Sequence, residues 1–293
     1  MKQGELVVRK SYGGDVIFKI DAIEARRAVL KGVDFRLLAD SPVSDLQLVQ
    51  DARPLQQHYS QMKVNESLRE LARFRLWQRE KQQTELGGAD HVSHSYFELP
   101  GKVLHLDGDP TYLRKSMALY GEFRVPAEGY FVSESNMTQA LYRLLPQVRP
   151  DILVITGHDG ILKHLKDRDI SSLNSYKNSH NFVNAIHMAR QFDRNLDSLT
   201  IIAGACQSHF EALLKAGANF ASSPARVLIH ALDPSCVAIK NAFTPARETV
   251  NIADVIRNTI SGFDGLGGIE TRGSYRLGLP KLKMPATNFG AAT

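Results

Sequence analysis

Apolar residues keep two different rhythms along this chain, and the change between them falls near Lys102. In GELVVRKSYGGDVIFKIDAI, the apolar pieces Leu6–Val8 and Val16–Ile20 flank the turn signal Tyr12-Gly13-Gly14-Asp15. Alternation broken by such a turn predicts a β-hairpin. The strand-like pieces RRAVLKGVD and FRLLADSPVSDL follow, punctuated by Gly32 and Pro42. Residues 1–58 are therefore expected to form a small β-rich module of the SH3-like barrel kind.

Residues 60–86 change character. Leu68, Leu71, Phe74 and Leu76 lie among many charges, which predicts a long helix with one apolar stripe. Its basic cluster (Arg69, Arg73, Arg75, Arg79 and Lys81) reads as a solvated face rather than a nucleic-acid contact. Gly87-Gly88 stops the helix, and GGADHVSHS reads as a linker, so residues 59–100 are expected to be a helical linker.

Beyond Lys102, strand-like and helix-like segments alternate. KVLHLD, EFRVP, DILVIT, LTIIAGA, NFASSP and VLIHAL read as strands. PTYLRKSMALYG, NMTQALYRLLPQV, NFVNAIHMARQFD, HFEALLKAG and DVIRNTISG read as helices between or after them. This order predicts an α/β fold over residues 101–285, caspase-like or flavodoxin-like, with a mostly parallel sheet covered by helices on both faces. Residues 286–293 read as a tail. In such sheets, ligands gather beyond the carboxyl ends of the strands. Asp107, Asp109, His158 and Cys206 all fall at such ends.

Composition adds bounds. With 293 residues and 43% hydrophobic content, the chain is long enough for a substantial core. A net charge of +5, spread without an aromatic-interleaved basic stripe, gives no reason to expect a nucleic-acid partner. Two cysteines, Cys206 and Cys236, cannot build a disulfide framework and fit a reducing compartment. No signal-peptide core or membrane-spanning apolar run is visible, so a cytoplasmic location away from membranes is expected.

The candidate chemistry lies in DILVITGHDG and TIIAGACQSH. Each is an apolar run that loosens at a glycine and then presents a reactive side chain, His158 in one and Cys206 in the other. A free thiol is mostly protonated at neutral pH, and an adjacent imidazole can take its proton. If the two strands are sheet neighbours, about 4.8 Å apart, their loops bring His158 and Cys206 into one site. The backbone amides of Asp159, Gly160 and Cys206 would then be candidates to hold an oxyanion.

Bland readings compete with this one. A lone cysteine after a strand is usually a small buried hydrophobe. Cys236 is read as structural, on the apolar face of a helix. Cys206 and His209 form a C-x-x-H pair, but no second pair follows at ligand spacing, so no metal is expected. HLDGDPT also fits the strand-end Asp-x-Asp-x-Thr of haloacid-dehalogenase-type phosphatases, with Asp107 as nucleophile and Asp109 as acid beside Mg²⁺. A downstream acidic pair to complete that site is missing. Asp109 can equally be a helix cap.

A histidine roughly 50 residues upstream of a cysteine is the separation seen in caspases, and the arrangement resembles the caspase-type, clan CD cysteine peptidases. Those enzymes usually carry His-Gly, whereas this chain has His158-Asp159-Gly160. A wider resemblance is carried by VVRKSYGGD, KGVDFRLLADSP, LHLDGDPTYLRKSMALYGE, RPDILVITGHDG, SYKNSHNF, AGACQSHFEALLKAGANFASSP and GGIETRG. Together these resemble the YabG family of sporulation-specific proteases. The resemblance implies a cysteine endopeptidase without a cofactor, made in the mother cell, that processes spore-coat and other spore proteins. It carries the catalytic roles onto Cys206 and His158. It also implies cleavage near Arg or Lys, for which Asp107, Asp109 and Asp159 would supply negative charge. The contrasting expectation is a docking module that binds coat proteins without cutting them.

Overall fold

The computed structural model describes residues 1–49, 55–87, 97–162 and 169–278. The linker GGADHVSHS beyond its first residue and the 286–293 tail lie outside them. At the N-terminus, five strands form an antiparallel sheet: β1 (Leu6–Arg9), β2 (Phe18–Glu24), β3 (Arg27–Gly32), β4 (Leu38–Pro42) and β5 (Leu46–Leu48). Their order is β4-β3-β2-β1-β5. Val7, Val16, Phe18, Ile20, Ala28, Leu30 and Leu46 form its core. The expected hairpin is β1–β2, turning through Gly13 and Gly14, both at positive φ.

Helix α1 (Leu55–Gly87) follows. It is solvated along one side but does not stand apart. Leu71 is buried in the main core, and Arg75 and Lys240 stack on Phe243 and Phe74 respectively across its contact with α6 (Asp233–Phe243).

The remaining elements are β6 (Phe97–Leu99), β7 (Val103–Asp107), α2 (Pro110–Phe123), β8 (Ala127–Phe131), α3 (Met137–Val148), β9 (Ile152–Thr156), α4 (Ser179–Phe192), β10 (Thr200–Ala203), α5 (Phe210–Ala216), β11 (Phe220–Ser222), α6, β12 (Thr249–Val250), α7 (Ile252–Arg257), α8 (Gly262–Gly265), β13 (Leu266–Gly268), β14 (Thr271–Arg272) and β15 (Arg276–Gly278). The central sheet has the order β13-β11-β10-β9-β7-β8, and only β13 runs antiparallel. Alternate residues supply two cores. Val103, Ile152, Val154, Ile202 and Phe220 pack toward α2, α6 and α7. Leu104, Leu106, Leu153, Ile155, Ile201 and Ala221 pack toward α3, α4 and α5. Strands buried on both faces read as continuous apolar runs, which is why β7, β9 and β10 were plain in the sequence. Among the described residues, no helix is long and apolar enough to cross a membrane.

Two expected strands differ. The helix before EFRVP runs on through Phe123, because Leu119, Tyr120 and Phe123 all bury against the sheet, and Arg124 caps it in the left-handed region. The strand comes later, at β8. VLIHAL joins no sheet. Its backbone instead pairs with Asp34–Arg36 of the N-terminal unit, through an isolated antiparallel bridge between Phe35 and His230. GLGGIETRGSYRLG supplies β13, β14 and β15.

Leu106 is fully buried between β7 and α3. Leu106→Ala is expected to lower unfolding stability by about 2–5 kcal/mol. Urea denaturation would show this as a lower midpoint with an unchanged slope.

Candidate active site

β9 and β10 are hydrogen-bonded parallel neighbours, with Val154 opposite Ile202 and Ile155 opposite Ala203. The loops bearing His158 and Cys206 therefore leave the same end of adjacent strands. Ser208 ties them together: its hydroxyl accepts from the Ala205 amide and donates to Asp159 Oδ2 at 2.9 Å. Gly204 stands at φ 111°, a conformation that favours glycine, and an added Cβ would lie 2.9 Å from Leu213 Cδ1. The backbone turn that presents Cys206 therefore depends on it.

His158 is nearly buried. Its amide donates to Glu134 Oε1 at 2.8 Å, and its Nδ1 lies 3.7 Å from the same oxygen. Burial pushes the Glu134 carboxyl up, but the hydrogen bonds from His158 outweigh it and hold the group below its usual range. Gly157 makes this approach possible, since a Cβ there would lie 2.4 Å from Glu134 Oε1. On its other side, His158 Nε2 lies 3.6 Å from Asp109 Oδ2 and has no hydrogen-bond partner among the described residues. The Tyr112 ring packs against the imidazole at 5.6 Å between centroids. The imidazole and the thiol share the rim but are not hydrogen bonded to each other.

Cys206 is fully buried. Its sulfur accepts from the Ile229 amide at 3.2 Å. Burial, with a smaller contribution from the Asp233 charge, pushes the thiol up to about 12, against the opposing influence of the Ile229 amide and Arg36. In this arrangement the sulfur is a neutral thiol.

The acidic residues divide their work. Asp109 caps α2, its Oδ1 accepting from the Thr111 and Tyr112 amides, while Oδ2 faces His158 and, at 3.5 Å, Lys31. Cap and site residue are thus the same side chain. Asp107 is wholly buried and takes the Arg36 guanidinium at 2.7 Å, the Thr156 hydroxyl at 3.0 Å and the Asp109 amide at 2.9 Å. Despite burial, the Arg36 charge holds its carboxyl far below the usual range. Nothing in that setting resembles a free nucleophile beside a metal. Asp159 turns inward. It accepts from the Gly160 and Asn178 amides at 2.8 and 2.7 Å and from the Ser179 and Ser208 hydroxyls. Its carboxylate is engaged as a bracket between loops, and it engages the Gly160 amide that was a candidate oxyanion donor. Cys236 is buried within α6, as expected.

The sequence reading did not single out Arg36, Tyr112, Glu134 or the backbone of Ile229 and Ala231. Arg36 gives a direct signal, since it and Asp34 are charges set among Val33, Phe35, Leu37 and Leu38.

His230, opposite Phe35, is buried, and its pKa falls to about 3, from burial first and then the Lys115 and Arg36 charges. The unfolded chain binds that proton below about 6.5 and the folded chain does not, so this histidine makes stability fall as pH drops through 6.5 toward 3. Asp233, lifted to about 6 by burial, slopes the other way. The difference between wild type and His230→Gln therefore isolates the imidazole. Between pH 7 and 5 wild type should lose about 2 kcal/mol relative to the variant, as measured by urea unfolding at both values.

The family described as YabG peptidase U57 matches residues 2–280. The chain is 46% identical over 284 residues to the sporulation-specific protease YabG of Bacillus subtilis (strain 168), covering 94% of this chain and 97% of that protein. No solved structure matches it. A parallel sheet whose neighbouring strands carry a histidine and a cysteine to one rim is here the scaffold of a protease, and the chain belongs to the YabG peptidase family of sporulation proteases.

Proposed function

We propose that this protein is a cysteine endopeptidase that cuts spore-coat and other spore proteins beside arginine or lysine, acting in the mother cell and at the forming coat. The observation that carries the reading is a wholly buried arginine side chain seated on Asp107 at the same strand ends as Cys206 and His158. A pocket that accepts one guanidinium has the chemistry to accept another. In this reading Cys206 is the nucleophile. His158 takes its proton, the sulfur attacks the scissile carbonyl carbon, and His158 returns the proton to the leaving amine. Water then hydrolyses the thioester, releasing the acid and restoring the thiol. Glu134 orients the imidazole through Nδ1, which leaves the unpartnered Nε2 as the proton carrier. Backbone amides of Asp159 and Cys206 are the candidate oxyanion donors. We read the body as caspase-like over residues 101–285, joined by the 59–100 helical linker to an SH3-like module at residues 1–58.

Cys206→Ala is expected to abolish cleavage of coat proteins while leaving the unfolding midpoint within a degree or two. Undiminished cleavage by the variant would remove Cys206 from the mechanism. Cleavage by neither protein would favour the non-cutting docking module. For substrate choice, in an Arg36→Ala background where the chain's own arginine no longer holds the seat, Asp107→Asn should cut kcat/KM on arginyl peptides by about 30-fold or more, since truncating one partner of a buried charge pair costs about 2–5 kcal/mol. Alanine-centred peptides should lose far less. A uniform loss across both peptide sets would instead mark Asp107 as purely structural.

A further inference from the structure

We propose that residues 33–37 occupy the substrate cleft as a built-in ligand, with the protein's own Arg36 in the subsite meant for a substrate arginine. The inference rests on reading Cys206 as the nucleophile and adds the regulation of that same site. Arg36 is 0% exposed and is the largest fully buried side chain among the described residues. Arginines are almost never buried to that degree without a partner built for them. Its Nη1 meets Asp107 Oδ2 at 2.7 Å, its Nη2 donates to the Ala231 carbonyl at 2.9 Å, and the guanidinium lies 5.2 Å from the Tyr112 ring centroid. Carboxylate, carbonyl and aromatic face together receive the two terminal nitrogens and one face of the guanidinium, while its Nε has no hydrogen-bond partner among the described residues.

The backbone is held as a peptide substrate would be. The Arg36 amide donates to the Ile229 carbonyl at 3.1 Å, and the Ala231 amide donates to the Asp34 carbonyl at 2.7 Å. With the Phe35–His230 bridge between them, residues 34–36 and 229–231 form one short antiparallel pairing. The same Ile229 residue that receives Arg36 donates its amide to the Cys206 sulfur. The Arg36 amide faces the sulfur as well. The chain turns tightly at Arg36 itself, with the Leu37 amide on the Phe35 carbonyl at 2.7 Å. Fasteners from α2 complete the seat: Tyr112 Oη reaches the Gly32 and Phe35 carbonyls at 2.5 and 2.6 Å, and Lys115 Nζ donates to the Val33 carbonyl at 2.8 Å. A merely structural contact between two units needs none of this combination. Here a backbone paired on both sides of Phe35, a desolvated guanidinium on a carboxylate and a covered thiol meet at one place.

A substrate arginine can take over the contacts of Arg36 without leaving Asp107 unpaired. The tethered ligand, however, competes at an effective concentration on the order of millimolar. Dilute substrates are therefore excluded until the loop withdraws.

The test uses the full chain as wild type, Arg36→Ala and the milder Tyr112→Phe, which removes only a hydroxyl. Alkylation of Cys206 by iodoacetamide is followed by peptide mass spectrometry, with Cys236 as the internal control. Arg36→Ala should speed Cys206 alkylation at least tenfold and Tyr112→Phe by less, with Cys236 unchanged. The peptide acetyl-Asp-Phe-Arg-amide should slow alkylation in Arg36→Ala. Should Arg36→Ala expose both cysteines alike, it has unfolded, and Tyr112→Phe decides. Equal Cys206 rates in wild type and the folded variants, or no protection by the peptide, overturn the proposal. The two readings fail separately. Uncovering and peptide protection without coat-protein cleavage by any form would sink the peptidase reading alone. Coat-protein cleavage that is equally fast in wild type and Arg36→Ala would sink the built-in ligand alone.

Discussion

The pairing of Arg36 with Asp107 joins two charges that both lie wholly out of water, and much of the rim is arranged to make that tolerable. Removing two ions from water costs several kcal/mol each, which attraction recovers only if the remaining lone pairs and protons are also satisfied. Asp107 meets that condition through the Asp109 amide and the Thr156 hydroxyl. Behind Thr156 stands His105, and behind His105 stands Tyr120, at 2.8 and 3.1 Å. A single donor sense satisfies the row: Tyr120 to His105 Nδ1, His105 Nε2 to Thr156, Thr156 to Asp107. It requires a neutral imidazole, and burial holds His105 below its ordinary pKa. The pair thus fixes the ends of β7 and β9 relative to each other and seats the N-terminal unit on both.

That constraint also explains the state of the thiol. With the Arg36 segment in place, Cys206 sees backbone amides and apolar walls rather than water. At about 12, only about one sulfur in 10⁵ would be ionised at neutral pH. A thiol tuned for attack sits near an imidazole with access to solvent. Both components are at the rim, since His158 Nε2 is unpartnered and lies beside the same Tyr112 that fastens the loop. Moving the loop would remove the chief cause of the raised pKa, which is burial, and would free the Tyr112 hydroxyl.

What the sequence disclosed follows from the range of the forces involved. β7, β9 and β10 carry near-continuous apolar runs broken only by His105 and by polar residues at strand ends, so burial on both faces was readable from the pattern, and with it the rim that holds His158 and Cys206. EFRVP, the weaker of the two, and VLIHAL also have strand character. The first was overruled by the packing of Phe123, the second by pairing with a loop from the far end of the chain. Arg36 lies 71 positions before Asp107, and no local pattern links them. Glu134 was hidden in the same way. Its trace is indirect, in glycines at 108 and 157 whose Cβ atoms would strike its carboxylate.

Three aspartates at one sheet edge looked alike in sequence, yet the fold gives each a different physical task. Asp107 answers a buried cation. Asp109 answers helix amides with one oxygen and an imidazole with the other. Asp159 answers four donors at once, yet burial still leaves its carboxyl above the usual range. Asp107 and Asp109 each face a cation on a mobile stem, Arg36 and Lys31 respectively, but only Arg36 is wholly out of water, as a bound substrate side chain would be. An edge rich in carboxylates therefore yields one fully desolvated cation site, and the chain's own arginine fills it.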